Sequence, residues 1–91
     1  MELSSVAGMA WEDRSHRLER EGPDLLWEQV ARNLRADIES GQLAPGSRLP
    51  NEYELADIYG VARVTVRTAL SHLKREGLII VTQGRGTYVR R

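Results

Sequence analysis

Residues 60–70, GVARVTVRTAL, are the stretch that decides the fold of this 91-residue chain. Its three Val and two Thr residues are β-branched, so its intrinsic helix propensity is poor. Apolar residues nevertheless recur here at i, i+3, i+4 and i+7, as in an amphipathic helix: Val66, Ala69, Leu70 and Leu73. The spacing predicts a helix from about Ala62 to Glu76, ended by Gly77.

The opposite face of this helix carries two arginines one turn apart, Arg63 and Arg67. A like-charge pair at this spacing costs a few tenths of a kcal/mol in an isolated helix. The chain has no acidic residue between Asp57 and Glu76, so we expect both arginines to be unpaired within the chain. Two interpretations remain open: solvated side chains, or a functional surface that accepts a local penalty.

The charge distribution favours the functional interpretation. The formal net charge is +0, but residues 60–91 hold 7 basic and 1 acidic residues, whereas residues 1–59 hold 6 basic and 12 acidic ones. A basic half favours an anionic partner.

Two helices are predicted before this stretch. The first begins after Asp24, the predicted N-cap, and ends at Gly41. Its apolar residues follow the same helical spacing: Trp27, Val30, Ala31, Leu34 and Ile38. The second is short and ends at Gly60, with Asn51 as N-cap and Glu54 three residues later, a variant of the capping box.

A β-hairpin is predicted after the third helix. Residues 78–83 are rich in β-branched side chains, residues 84–86 (Gly-Arg-Gly) form a turn, and residues 87–89 return. Leu78, Ile80 and Val89 are its expected apolar positions, and Ser47–Leu49 is predicted as a very short strand. The fold class is therefore α+β: a winged helix-turn-helix of three helices plus a C-terminal β-hairpin wing.

Several classes of function are unsupported. The chain has no Cys and only two His residues, His16 and His72, so no disulfide, metal site or cofactor is predicted. No apolar run approaches the ~20 residues of a membrane span, and a cytoplasmic protein is expected. No nucleophile–base set indicates an enzyme. Residues 1–23 lack periodicity and are expected to be a mostly disordered arm before the domain at residues 24–91.

A helix start rich in Arg and Thr suits the major groove of DNA. Arg85, at the tip of the hairpin, could enter the minor groove, although a Gly-X-Gly segment is by default only a turn. The main alternative is a winged-helix module that binds another protein, which predicts an exposed apolar patch and binding insensitive to phosphate.

Residues 26–89 closely resemble the DNA-binding domain of GntR-family bacterial transcription regulators. The matching positions keep fixed spacings: Gly41…Leu43…Pro45-Gly46, Leu49-Pro50…Glu52…Leu55-Ala56, Gly60-Val61…Arg63…Thr65-Val66-Arg67…Ala69-Leu70, Glu76-Gly77-Leu78-Ile79 and Gly84…Gly86-Thr87. The resemblance implies a recognition helix that reads a palindromic operator and a wing near the minor groove.

Pattern and resemblance together predict the residues that contact DNA: Arg63, Val64, Thr65, Arg67, Thr68, Ser71, Tyr53, Gly84, Arg85 and Gly86. The chain departs from the family at four of its positions. Asn51 replaces a common Ser and can cap the second helix equally well. Val64 replaces a polar contact of some members, Tyr53 replaces an arginine of one branch, and Ala62 replaces a capping Ser, at a cost of about 1 kcal/mol.

The resemblance also implies that this is the N-terminal part of a longer repressor of the HutC-like, plasmid-transfer type. A C-terminal domain, expected to be absent here, would bind a small-molecule effector and form the homodimer. The isolated domain is expected to be mainly monomeric and to bind DNA weakly, because it lacks the linked second half-site.

Overall fold

Three helices and a two-stranded hairpin make up the computed structural model, which describes residues 11–91. The helices are α1 (Leu26–Ser40), α2 (Glu52–Tyr59) and α3 (Arg63–Arg75), and the strands are β1 (Ile79–Thr82) and β2 (Gly86–Val89). The predicted fold class, a winged helix-turn-helix, is confirmed.

The core lies where α3 packs against α1 and α2. Most of the periodic residues of α3 and α1 are buried there, with Leu70, Trp27 and Ile38 partly buried against them. This packing overrides the poor helix propensity of residues 60–70. The fully buried members on these two helices are Val30, Ala31, Leu34, Val66, Ala69 and Leu73. α3 is thereby fixed with its remaining face towards solvent.

Both ends of α2 are defined by local chemistry. The Asn51 side chain accepts a hydrogen bond from the Glu54 backbone N–H (2.8 Å), and the Glu54 carboxylate accepts one from the Asn51 N–H (2.9 Å). At its other end Gly60 adopts a φ of 66°, in the left-handed region. This conformation turns the chain directly into α3, so α2 and α3 form the helix-turn-helix.

The N-cap predicted for α1 was wrong by one residue. Leu25, not Asp24, takes the N-cap position, and its N–H lies 3.4 Å from the Glu28 carboxylate. The Asp24 carboxylate instead pairs with Arg32 at 3.3 Å, while its carbonyl accepts a hydrogen bond from Gln29. The side chain most suited to capping is thus used in an ion pair on the helix surface.

The hairpin pairs β1 with β2 in antiparallel register, Ile79 opposite Val89 and Ile80 opposite Tyr88. Because side chains alternate across a strand, Ile79 and Val89 enter the core and Ile80 is exposed, contrary to the expectation for Ile80. Arg48 forms a single bridge with Tyr88, where the short strand at Ser47–Leu49 was predicted. This bridge places the loop before α2 beside the wing.

Residues 1–23 were expected to form a mostly disordered arm. Residues 1–10 lie outside the described part of the chain, and residues 11–23 pack against the helices. Leu18 joins the core, and Arg14, 4% exposed, is buried between α1 and α2. The Arg14 guanidinium pairs with Asp37 at 2.7 Å and donates hydrogen bonds to Asn33 Oδ1 (2.8 Å) and the Tyr59 hydroxyl (2.9 Å). The arm is anchored by a few contacts that its charged composition does not reveal.

No helix within residues 11–91 is both long enough and apolar enough to cross a membrane.

Candidate nucleic-acid interface

The first turn of α3 contains no acidic residue of its own, and no side chain caps its backbone N–H groups. Ala62 occupies the N-cap position and offers no side-chain acceptor, so only its carbonyl serves the helix, accepting from the N–H of Thr65 at 3.0 Å. Unsatisfied N–H groups and the helix dipole make such an end favourable to an anion.

Arg63 and Arg67 are held by one carboxylate, so the expectation that they are unpaired was wrong. Glu52 Oε1 lies 3.1 Å from Arg63 Nη1 and 2.9 Å from Arg67 Nη2. The Arg67 guanidinium lowers the pKa of the Glu52 carboxyl, with Arg63 adding to the effect. Glu52 therefore stays ionised at neutral pH and balances one of the two positive charges.

Tyr53 supports Arg63 from a second side. The Arg63 guanidinium carbon lies 4.1 Å from the centroid of the Tyr53 ring, a cation–π arrangement. The ring itself is 63% exposed. The start of α2 thus supplies a carboxylate and an aromatic face that fix the direction of the Arg63 side chain while leaving it in solvent.

The other predicted residues of α3 differ in how free their side chains are. Val64 is 59% exposed, Thr65 is half-buried and Ser71 is exposed. The Thr68 hydroxyl donates to the Val64 carbonyl at 2.9 Å, so its hydrogen is already engaged within the helix. The available side chains concentrate in the first turn and a half of α3.

The predicted wing residues form a second, separate group at the hairpin turn. The Arg85 N–H donates to the Thr82 carbonyl at 2.9 Å and closes the turn, leaving the Arg85 side chain exposed. The structure thus brings Tyr53 together with Arg63 and Arg67 and keeps Gly84, Arg85 and Gly86 on the wing.

Glu52 is the site residue that the sequence analysis did not assign. Glu52 is the first residue of α2, where acids are common because they interact favourably with the helix dipole. Its presence there is explained without any contact to α3. A signal was available: in a helix-turn-helix the start of the second helix lies beside the first turns of the third. An acid at that position can therefore reach basic residues there.

Comparison with known proteins agrees with this architecture. Residues 26–89 match the family model "Bacterial regulatory proteins, gntR family". The chain is 40% identical over 72 residues to the HTH-type transcriptional repressor NagR of Bacillus subtilis (strain 168), an alignment that spans 79% of this chain and 30% of NagR. It is 45% identical over 65 residues to the repressor MngR of the Escherichia coli (strain K12) mannosyl-D-glycerate transport/metabolism system, spanning 71% of this chain and 27% of MngR. The chain thus matches less than a third of either relative.

Solved structures show the same fold. The DNA-binding domain of AraR in complex with operator ORX1 is 34% identical, with a TM-score of 0.72 over 81% of this chain and 98% of that one. YtrA from Sulfolobus acidocaldarius, a GntR-family transcription factor, is 34% identical, with a TM-score of 0.74 over 80% of this chain and 77% of that one. The family is one of transcription regulators and not of enzymes. The chain belongs to the gntR family of bacterial regulatory proteins, through the winged helix-turn-helix domain described above.

Proposed function

We propose that this chain binds double-stranded DNA sequence-specifically, as the DNA-binding domain of a transcriptional repressor. The observation that carries the proposal is the cluster at the start of α3, where Glu52 and Tyr53 hold Arg63 and Arg67 in solvent beside free backbone N–H groups. AraR, a similar structure, was solved with its operator, and NagR is named a repressor.

The major groove of B-DNA is about 12 Å wide and admits one helix. Arginine side chains can donate two hydrogen bonds to guanine O6 and N7, for roughly 1–3 kcal/mol of discrimination each. Glu52 fixes the directions of both arginines, which reduces the rotamer entropy lost on binding. Val64, exposed between them, can contact a thymine methyl group, and Thr65 a phosphate or a thymine methyl.

The wing would lie at the flanking minor groove. Gly84 and Gly86 let the backbone turn tightly, and Arg85 projects from the tip. A narrow minor groove has an enhanced negative potential that attracts an inserted arginine. The wing would then add affinity and an A·T preference beside the bases that α3 reads.

At the level of the whole protein we propose a cytoplasmic homodimer that occupies a palindromic promoter site. Two recognition helices would lie about one DNA turn apart, each on one half-site. Effector binding and dimerisation would belong to a further C-terminal domain. A HutC-like identity for that domain remains part of this proposal.

Titration with DNA at several salt concentrations tests the function. A duplex of about 20 base pairs, two turns of DNA, selected by this chain from a randomised library, is compared with a random duplex. The affinity should fall steeply with salt for both, because Lys and Arg release counterions from phosphate. The selected duplex should bind more tightly. Absence of binding to either duplex would favour the protein-interaction alternative.

Replacing Glu52 by Gln tests the role of this carboxylate. The change replaces the carboxylate shared by Arg63 and Arg67 with a neutral amide oxygen that holds them more weakly, and it removes a negative charge near the DNA. The ratio of affinities for selected and random duplexes should fall about tenfold, the loss of about one oriented contact, while the affinity for random DNA stays equal or rises. Asp57→Asn is the matched control, since Asp57 is an exposed acid on the same helix. An unchanged ratio would show that the arginines orient without the negative charge of Glu52.

A further inference from the structure

An open cleft of about 470 Å³ lies beside the wing, apart from the cluster on α3. It is lined by the hairpin turn and by one residue from a distant part of the chain, Arg48. The bridge between Arg48 and Tyr88, flanked by the hydrogen bond from the Leu49 N–H to the Thr87 carbonyl (2.8 Å), holds this loop against β2. The cleft therefore combines two segments that are far apart in sequence.

The Arg48 side chain lies directly on the wing backbone at Gly86. A Cβ built on Gly86 would be only 2.9 Å from Arg48 Nε, closer than real Cβ contacts come. The φ of Gly86, 132°, also disfavours any residue with a side chain. Glycine at this position thus lets the Arg48 guanidinium lie against the wing backbone next to the hairpin turn.

The cleft offers two arginines, Arg48 and Arg85, among neutral hydrogen-bonding groups. Within residues 11–91, the ion pairs engage Arg14, Arg32, Arg35, Arg63 and Arg67, and none engages Arg48 or Arg85. The polar side chains that line the cleft beside Arg48 and Arg85 are those of Thr82, Gln83 and Thr87. A guanidinium with hydroxyl and amide donors suits a singly charged oxyanion such as a phosphodiester.

We propose that Arg48, with the polar side chains of the wing cleft, binds a backbone phosphate of the DNA next to the bases read by α3. The inference rests on the proposed function and assigns a contact that fixes the wing on the duplex. A phosphate contact by Arg48 would help to position the protein on the duplex without reading its sequence, whereas Arg63 and Arg67 would read bases. The cleft is open, so the phosphate is one that the rest of the DNA interface brings to it.

The test compares Arg48→Ala, Arg48→Lys and the control Arg75→Ala on the selected and random duplexes over a range of salt concentrations. Arg75 is an exposed arginine at the far end of α3, so its loss matches the change in charge. One phosphate contact releases about 0.9 counterion, worth roughly eightfold in affinity at 0.1 M salt. Arg48→Ala should therefore weaken both duplexes by about fivefold to tenfold, lower the salt slope by about 1 and leave their affinity ratio unchanged.

The remaining outcomes are equally specific. Arg48→Lys should keep the salt slope, because the charge is retained, and Arg75→Ala should keep both slope and affinity. The inference is overturned if Arg48→Ala behaves like Arg75→Ala, or if it lowers the affinity ratio, which would make Arg48 a base-reading residue. Binding of inorganic phosphate that Arg48→Ala abolishes, without an effect on DNA, would overturn it in favour of a free-anion site. If the unaltered chain binds neither duplex, the proposed function itself fails; if it binds both and only the Arg48 effect is missing, the function stands.

Discussion

Replacing both Arg63 and Arg67 with alanine is expected to lower the affinity for the selected duplex by about 30-fold to 10⁴-fold. Each arginine that bonds a guanine bidentately contributes roughly 1–3 kcal/mol of discrimination, so two contribute roughly 2–6 kcal/mol, at about 1.4 kcal/mol per tenfold change in affinity. The affinity for random DNA should fall much less, because its phosphates are contacted by other groups. The two curves should therefore converge in a fluorescence titration.

The matched control is the double replacement of Lys74 and Arg75 with alanine. These residues lie in the last turn of the same helix and are exposed, so the change in net charge and in helix composition is equal. The two pairs differ in position: only Arg63 and Arg67 are fixed by Glu52 at the end of α3 proposed to enter the groove. Equal losses in both double variants would mean that α3 contributes only overall charge, and the assignment of α3 as a reading helix would fail.

Arg67→Ala alone separates the two kinds of contact that this arginine could make. A base contact predicts that preference among duplexes relaxes at one position of the half-site, whereas a phosphate contact predicts an even loss across sequences. In this variant Glu52 still pairs with Arg63, so the contact made by Arg63 is kept and the loss reports on Arg67. The variant should keep the affinity for random DNA near that of the unaltered chain at high salt.

The sequence predicted those features of the fold that depend on neighbours along the chain. The apolar spacing in α1 and α3 identified the buried faces, since the helical period alone decides which side chains share a face. The reciprocal bonds between Asn51 and Glu54 also follow from a spacing of three residues. In contrast, the sequence of the hairpin does not show which face of β1 is buried, because the neighbouring residues Ile79 and Ile80 are chemically equivalent and point to opposite faces. Only the pairing of Ile79 with Val89 decides it.

The two arginines of the candidate site could be predicted from the sequence, but the carboxylate that pairs with them could not. Arg63 and Arg67 stand out because residues 60–75 contain no acid. The search for a partner at helical spacing could not find Glu52, which precedes Arg67 by 15 residues and reaches it through the packing of α2 against α3. The same reasoning applies to Arg48, since its position on the wing depends on a bridge to Tyr88, 40 residues later.

Arg14→Ala is expected to lower the free energy of unfolding by about 2–3 kcal/mol. Breaking a buried ion pair by removing one partner costs about 3–5 kcal/mol, and Asp37 is partly exposed, which reduces the cost. The variant also removes the donor to the Tyr59 hydroxyl, whose oxygen is buried beside Asn33. In urea denaturation the midpoint should fall, and the melting temperature should fall by about 10–20 °C, at 4–8 °C per kcal/mol for a domain of this size.

Arg17→Ala is the control that decides what the loss means. Arg17 belongs to the same segment and donates to the same Asn33 oxygen at 3.2 Å, but its side chain is exposed. Its replacement should cost less than about 0.5 kcal/mol, as is usual for surface changes. If Arg14→Ala lowers the free energy of unfolding much more than Arg17→Ala, residues 11–23 are part of the folded domain. Only when this segment packs on the helices is Arg14 buried while Arg17 is exposed. Equal small effects would instead return the domain boundary to residue 24, and a chain of residues 24–91 would then be as stable as the whole.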